Sequence, residues 1–190
     1  MDAEDRMLAE APSPYVDAPR RYGFHATLKA PMRLANGTAY ADLVSAVDKL
    51  AGKMPPAELG ILMPKRMGGF LALVCDERFH DGASSIAWQC VSMLDRLRAE
   101  LSDQEHEKHC NLTEEQGRNL HLWGYPYVGR SFRFHMTLTS HLSDVALEQA
   151  GQTIKAIVPK EKTILDSICL FGDPGGTKPF VLLERFDLSG

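Results

Sequence analysis

One five-residue string occurs twice, and this constrains the chain more than any other feature. Phe24-His25-Ala26-Thr27-Leu28 and Phe134-His135-Met136-Thr137-Leu138 agree at four of five positions and lie 135 − 25 = 110 residues apart. Both strings alternate, as a strand with one buried side does. Tyr22, Phe24, Ala26 and Leu28 fall on one face, with His25 and Thr27 on the other. Phe132, Phe134, Met136 and Leu138 face inward in the second copy, with Arg133, His135 and Thr137 opposite. The elements that follow repeat as well. Apolar residues step by three, four, three and one along Tyr40, Leu43, Val47, Leu50 and Ala51, and again along Leu147, Ala150, Ile154, Ile157 and Val158. A duplicated supersecondary unit explains this better than coincidence.

The spacing predicts the rest of the order. A helix runs between Thr38 as cap and Gly52 as stop. Strands follow near 57 to 63 and 69 to 75, joined by a turn at Lys65-Arg66-Met67-Gly68-Gly69. A second helix covers about 83 to 99, with Ile86, Cys90, Met93, Leu94 and Leu97 inward, and a short one about 113 to 122. Ser143 caps the third long helix. Strands near 163 to 171 and 179 to 186 end the chain, joined by Asp173-Pro-Gly-Gly176. Residues 1 to 19, with three prolines, read as a loose arm, and 20 to 190 as one domain. Its first repeat spans about 20 to 63 and its second about 68 to 190. The second His strand is preceded by a strand and a helix, whereas the first is preceded only by the arm. The first unit is therefore expected to lack its opening strand and helix. That would leave an open sheet edge and uncovered apolar surface, to be filled by the arm or by a second copy of the chain, or completed from an upstream start.

Composition excludes several classes. With 190 residues, 44% hydrophobic and 24% charged, the chain is an ordinary globular one and not disordered. A net charge of −4 argues against a duplex-DNA binder held by bulk positive charge. No apolar run reaches the roughly 20 residues of a membrane span, and the N-terminus has no signal-peptide core. Cys75, Cys90, Cys110 and Cys169 form no Cys-x-x-Cys pair. Reduced thiols in the cytoplasm are the expectation.

In a strand, side chains two apart point the same way, so His25 and Thr27 share a face, as do His135 and Thr137. If a pseudo-twofold axis relates the units, the imidazoles meet across one groove. Two histidines suit paired proton transfer, one taking and one giving. The Thr hydroxyls can donate to anionic oxygens. Arg21, Lys29 and Arg133 stand at odd numbers near the histidines and would attract phosphate. Such a set can cleave a phosphodiester with no metal or cofactor.

Paired His-x-Thr-Leu strands half a chain apart resemble the two-histidine (2H) phosphoesterase superfamily, which includes LigT-like RNA 2',3'-cyclic phosphodiesterases and RNA ligases. Four longer strings resemble one bacterial branch of it, often encoded beside phosphonate-utilisation genes. They are Arg21-Tyr-Gly-Phe-His-Ala-Thr-Leu-Lys-Ala-Pro31, Gly68-Gly-Phe-Leu-Ala-Leu-Val74, Trp123-Gly-Tyr-Pro-Tyr127 and Phe132-Arg-Phe-His-Met-Thr-Leu-Thr139. The resemblance implies a bilobal α+β fold, with antiparallel sheets around a central cleft. It implies His25 and His135 as catalytic pair, with Thr27 and Thr137 on the phosphate. The substrate it implies is a small cyclic or linear phosphodiester, such as a ribose cyclic phosphate of phosphonate breakdown. The alternative from another class is a phosphate or nucleotide binder without turnover, and a metal-dependent hydrolase is third.

Other signals weigh less. His106, His109, Cys110 and His121 are ligand types at no standard zinc spacing, and a polar helical surface explains them equally. His141 lies on the His135 face if that strand continues. Tyr125 and Tyr127 enter the second His strand, and Tyr127 is read equally as a base- or sugar-stacking residue or as packing. Lys65-Arg66 beside Gly68-Gly69 is not a P-loop, because Gly-x-x-x-x-Gly-Lys-Ser/Thr is absent. Glu105, Glu107, Glu114 and Glu115 read as a solvated surface.

Overall fold

The computed structural model describes residues 13–107 and 110–190. Helices α1 (Ser13–Tyr22), α2 (Tyr40–Ala51), α3 (His80–Leu94), α4 (Asp103–Glu107), α5 (Glu114–Trp123) and α6 (Asp144–Ile157) accompany seven strands. These are β1 (Ala57–Ile61), β2 (Met63–Met67), β3 (Phe70–Val74), β4 (His135–Thr137), β5 (Lys162–Leu165), β6 (Ser167–Gly172) and β7 (Val181–Asp187). They form three small antiparallel sheets ordered β1-β5, β2-β3-β4 and β6-β7. None of the helices in the described residues is long and apolar enough to cross a membrane.

Several elements differ from the sequence expectation, each for a local reason. Residues 1–12 lie outside the described residues, but 13 to 22 form a helix rather than part of an arm and the start of a strand. Gly23, at φ +71°, turns the chain out of that helix. The first His strand is thereby reduced to an extended segment with one bridge, Ala26 to Met136. Lys65 and Arg66 sit in β2, and the turn to β3 is carried by Gly68, at φ +60°, and Gly69. The cap of α2 is Ala39 rather than Thr38, because the Asp42 carboxylate turns back to accept the Ala39 N–H at 2.8 Å. Thr113 and Ser143 cap α5 and α6 through their hydroxyls. Helix α3 ends at Leu94 and tightens into a 3-10 turn over Asp95–Leu97.

The core has two clusters. One packs β1, β3, the 132–138 segment and Leu147 of α6; the other packs α2, the later turns of α3 and Ile168 of β6. Leu28 and Leu165 touch both, so the segment just after His25 is held between them. Most expected inward positions are buried, including Val47, Leu50, Ile86, Cys90, Leu94 and Leu147. Tyr40, Met93 and Ile157 are exposed instead. Strand β7 is exposed along most of its length, with Val181, Leu182 and Leu183 each about half accessible at 51%, 47% and 46%.

Gly60 marks a register irregularity in the β1–β5 pair, at φ +68°. A Cβ there would stand 2.8 Å from the Phe79 ring. Gly60→Ala is expected to cost about 1–3 kcal/mol, mostly from the left-handed backbone and the rest from crowding. A urea midpoint unchanged from wild type would contradict this.

At another corner, segment 33–35 pairs with 97–99 through Ala35 N–H to Leu97 O (2.9 Å) and Ala99 N–H to Arg33 O (2.8 Å). The Arg33 guanidinium, followed by the Ser102 backbone N–H and hydroxyl, holds the Glu105 carboxyl at about 2. That is below its unfolded value of about 4.3, so its contribution is complete above that value and is lost as pH falls toward 2. Wild type should therefore melt above Glu105→Gln at pH 6, and the two should converge near pH 2.

Candidate functional site

The Ala26–Met136 bridge organises the site. The paired residues are those related by the repeat offset, 136 − 26 = 110. Counting outward along an antiparallel pair sets His25 opposite Thr137 and Thr27 opposite His135. Ala26 and Met136 pack on the core, so all four polar residues belong to the opposite face. The histidines are then diagonal neighbours, about 7–8 Å apart along the backbone. Strand β4 is itself fixed by β3, with Val74 opposite His135 and Ala72 opposite Thr137.

Both rings are anchored in the same way, a detail that periodicity does not reveal. His25 Nδ1 lies 3.1 Å from Gly23 O, and His135 Nδ1 lies 2.8 Å from Arg133 O. A carbonyl can only accept, so each Nδ1 carries the hydrogen and donates it. In the neutral ring the lone pair is then on Nε2. His25 Nε2 takes a hydrogen bond from the Thr27 hydroxyl at 3.0 Å. Each imidazole has an aromatic neighbour: Phe171 of β6 at 5.5 Å from His25, and Phe70 of β3 at 6.2 Å from His135. His141 also neighbours the Phe70 ring, at 5.7 Å. A Cβ on Gly69 would meet its Nδ1 at 2.5 Å, so a glycine there lets His141 approach.

The cations are placed differently from one another. Arg21 is clamped, with Nη2 at 3.0 and 3.2 Å from the Asp173 carboxylate and Nε donating to Lys178 O. The same guanidinium lies over the Phe180 ring, fastening the β6–β7 loop to the entry of the His25 segment. Arg133 donates to the Arg130 and Phe132 carbonyls at 2.7 and 2.6 Å beside its exposed surface position. Lys29 does not join the histidines. The chain bends at Leu28 and Lys29, and the Lys29 ammonium runs to Val91 O and Asp95 at the end of α3. Tyr127 is 45% exposed and meets Tyr125 edge-on at 5.5 Å. Burial raises the Tyr125 hydroxyl pKa, with Tyr127 adding to it.

Among the described residues no group of three or more His, Cys, Asp or Glu side chains could hold a metal ion. His109 lies outside them. The four thiols are free, and burial pushes Cys90 up to about 12.

A family described as a protein of unknown function, DUF1045, matches residues 27–181. The chain belongs to this family. Two curated proteins resemble it, each named ribose 1,5-bisphosphate phosphokinase PhnN. The one from Janthinobacterium sp. (strain Marseille) is 34% identical over 180 residues, covering 90% of this chain and 40% of that protein. The one from Laribacter hongkongensis (strain HLHK9) is 36% identical over 131 residues, covering 68% of this chain and 30% of that protein. The chain thus spans less than half the length of either relative. DUF1045 membership takes in Thr27, Arg133, His135 and Thr137, and the match begins two residues after His25.

Proposed function

We propose that this DUF1045 chain is a phosphodiesterase that opens a cyclic phosphodiester on a ribose by paired histidine acid–base catalysis, in a duplicated, bilobal domain. The observation that carries the reading is the matched anchoring of His25 and His135. Each donates Nδ1–H to the carbonyl two residues back, which leaves each Nε2 for proton transfer on the face shared with Thr27 and Thr137. Strands β1 and β5, each following the long helix of its own repeat, also pair with one another. Ribose enters through the relatives' printed names, which give a ribose carrying two phosphates. Their kinase activity is not carried over, and the placement beside phosphonate utilisation is part of the proposal.

In this reading the neutral imidazole takes a proton from water as the water oxygen bonds to phosphorus. The protonated imidazole gives its proton to the ribose oxygen as the P–O bond breaks. With substrate in place the Thr27 hydroxyl turns its proton from His25 Nε2 to the phosphate, and it and the Thr137 hydroxyl donate to the non-bridging oxygens, where charge grows. Proton exchange with solvent resets the pair.

The test is hydrolysis of ribose cyclic phosphates and 2',3'-cyclic nucleotides in EDTA across pH 5 to 9. A bell-shaped rate profile that survives the chelator is expected. Phosphate-ligand binding without turnover would favour the non-catalytic binder, and loss of activity in EDTA would favour a metal hydrolase.

A further inference from the structure

Lys65 stands in β2 rather than in a turn, and the register of the sheet carries it onto the histidine face. Residues directly opposite one another in an antiparallel pair share a face. Lys65 pairs with Ala72, Ala72 pairs with Thr137, and Thr137 stands opposite His25. These four form one row across the strands. Met63, Val74, His135 and Thr27 form the next row on the same face. Arg66 points the other way, and its Nη2 donates to Asp144 of α6 at 2.7 Å on the core side. Between Lys65 and Thr137, Ala72 contributes only a methyl group.

The cations expected near the histidines are committed elsewhere or to their own loop. Arg21 grips Asp173, Lys29 runs to Asp95, and Arg133 Nη1 donates to the Arg130 and Phe132 carbonyls. Lys65 Nζ has a looser contact, 4.0 Å to Glu77 Oε1, between side chains that are 62% and 95% exposed. An exposed pair at that separation is weak and screened by salt, so a phosphate oxygen displaces it readily.

Distance decides what Lys65 can hold. The midpoint between the His25 segment and β4 lies two and a half strand spacings from β2, about 12 Å. A four-carbon lysine stem covers roughly half of that, and a charge-assisted bond to a phosphate oxygen adds about 2.8 Å. The ammonium therefore falls short of a phosphorus between the two rings. It matches an anion on the far side of the same sugar.

We propose that Lys65 is a specificity-determining residue that holds a second phosphate, a monoester on the ribose whose cyclic diester lies between His25 and His135. This rests on the phosphodiesterase reading and narrows its substrate class to a ribose carrying a phosphomonoester as well as the diester.

The test compares hydrolysis of a ribose cyclic phosphate with and without a 5-phosphate, on the full chain in EDTA. Wild type should favour the 5-phosphate form at least tenfold in kcat/KM. Lys65→Gln should erase that preference through KM, leaving kcat, the pH profile and the rate on the form without a 5-phosphate unchanged. Lys65→Arg should keep the preference within a few-fold. Equal use of both substrates by wild type would overturn the assignment with no variant needed, as would a preference that survives in Lys65→Gln; either result leaves the histidine reading standing. No turnover of either substrate by wild type would instead remove the histidine reading, and the lysine subsite with it.

Discussion

Replacing either histidine is expected to cut turnover of a cyclic ribose phosphodiester on the order of 10²–10⁴-fold, the usual scale for one acid–base group. The proposed site assigns one proton to each ring, so His25→Ala and His135→Ala should be similar in size. Their effects should not add, because the two groups act in one step. Each single variant should also lose one limb of the pH–rate bell: the base variant the acid limb, the acid variant the alkaline limb. Thr27→Val should cost less than either, since it removes a hydroxyl beside His25 Nε2 and leaves both rings anchored. Steady-state rates on the purified chain, with circular dichroism to confirm folding, measure all three. Near-full activity in either alanine variant would remove that ring from the mechanism.

The largest stability loss should come from Phe134→Ala, at about 3–5 kcal/mol. The ring is 3% exposed and lies in the core cluster with Leu73, Leu138 and Leu147. Truncation would leave a cavity under β4, where neighbours held by the β3 ladder cannot collapse inward. Domains of this size have about 5–15 kcal/mol in total, so the variant would stand near its unfolding threshold. Urea unfolding should show a much lower midpoint with the slope unchanged. A loss below about 1 kcal/mol would mean the site rests on a loosely packed floor, contrary to its burial.

Period carried much of this into view from sequence. The alternation of His25 with Thr27 and of His135 with Thr137 assigns them to one side. The three-four steps in α2 and α6 mark Val47, Leu50 and Leu147, which are buried. What period cannot carry is direction beyond an element's end. Lys29 continues the odd numbering of His25 and Thr27, yet the bend at Leu28 and Lys29 ends the alternation, and the side chain leaves for α3. Residues 13 to 22 were obscured by prolines, although a helix tolerates proline in its first turn, and here accommodates Pro19 further along. The clamp of Arg21 by Asp173 joins residues 152 apart, and no local pattern encodes it. The anchoring of both Nδ1 atoms depends on the extended backbone placing a carbonyl two residues back, which is geometry rather than composition.

The exposed β7 strand also bears on how the chain behaves at high concentration. Phe180, Val181, Leu182 and Leu183 form an apolar run of four, and Phe186 follows after Glu184 and Arg185. Segments of six or seven uncharged, strand-forming residues are the signature of cross-β stacking. Glu184 and Arg185 interrupt such a segment and serve as gatekeepers. Neutralising both would leave eight consecutive uncharged residues, Pro179 to Phe186, six of them on a strand whose surface is already half open to solvent. Replacing both Glu184 and Arg185 with glutamine is therefore expected to raise the chain's tendency to self-associate, although neither side chain belongs to the folded core.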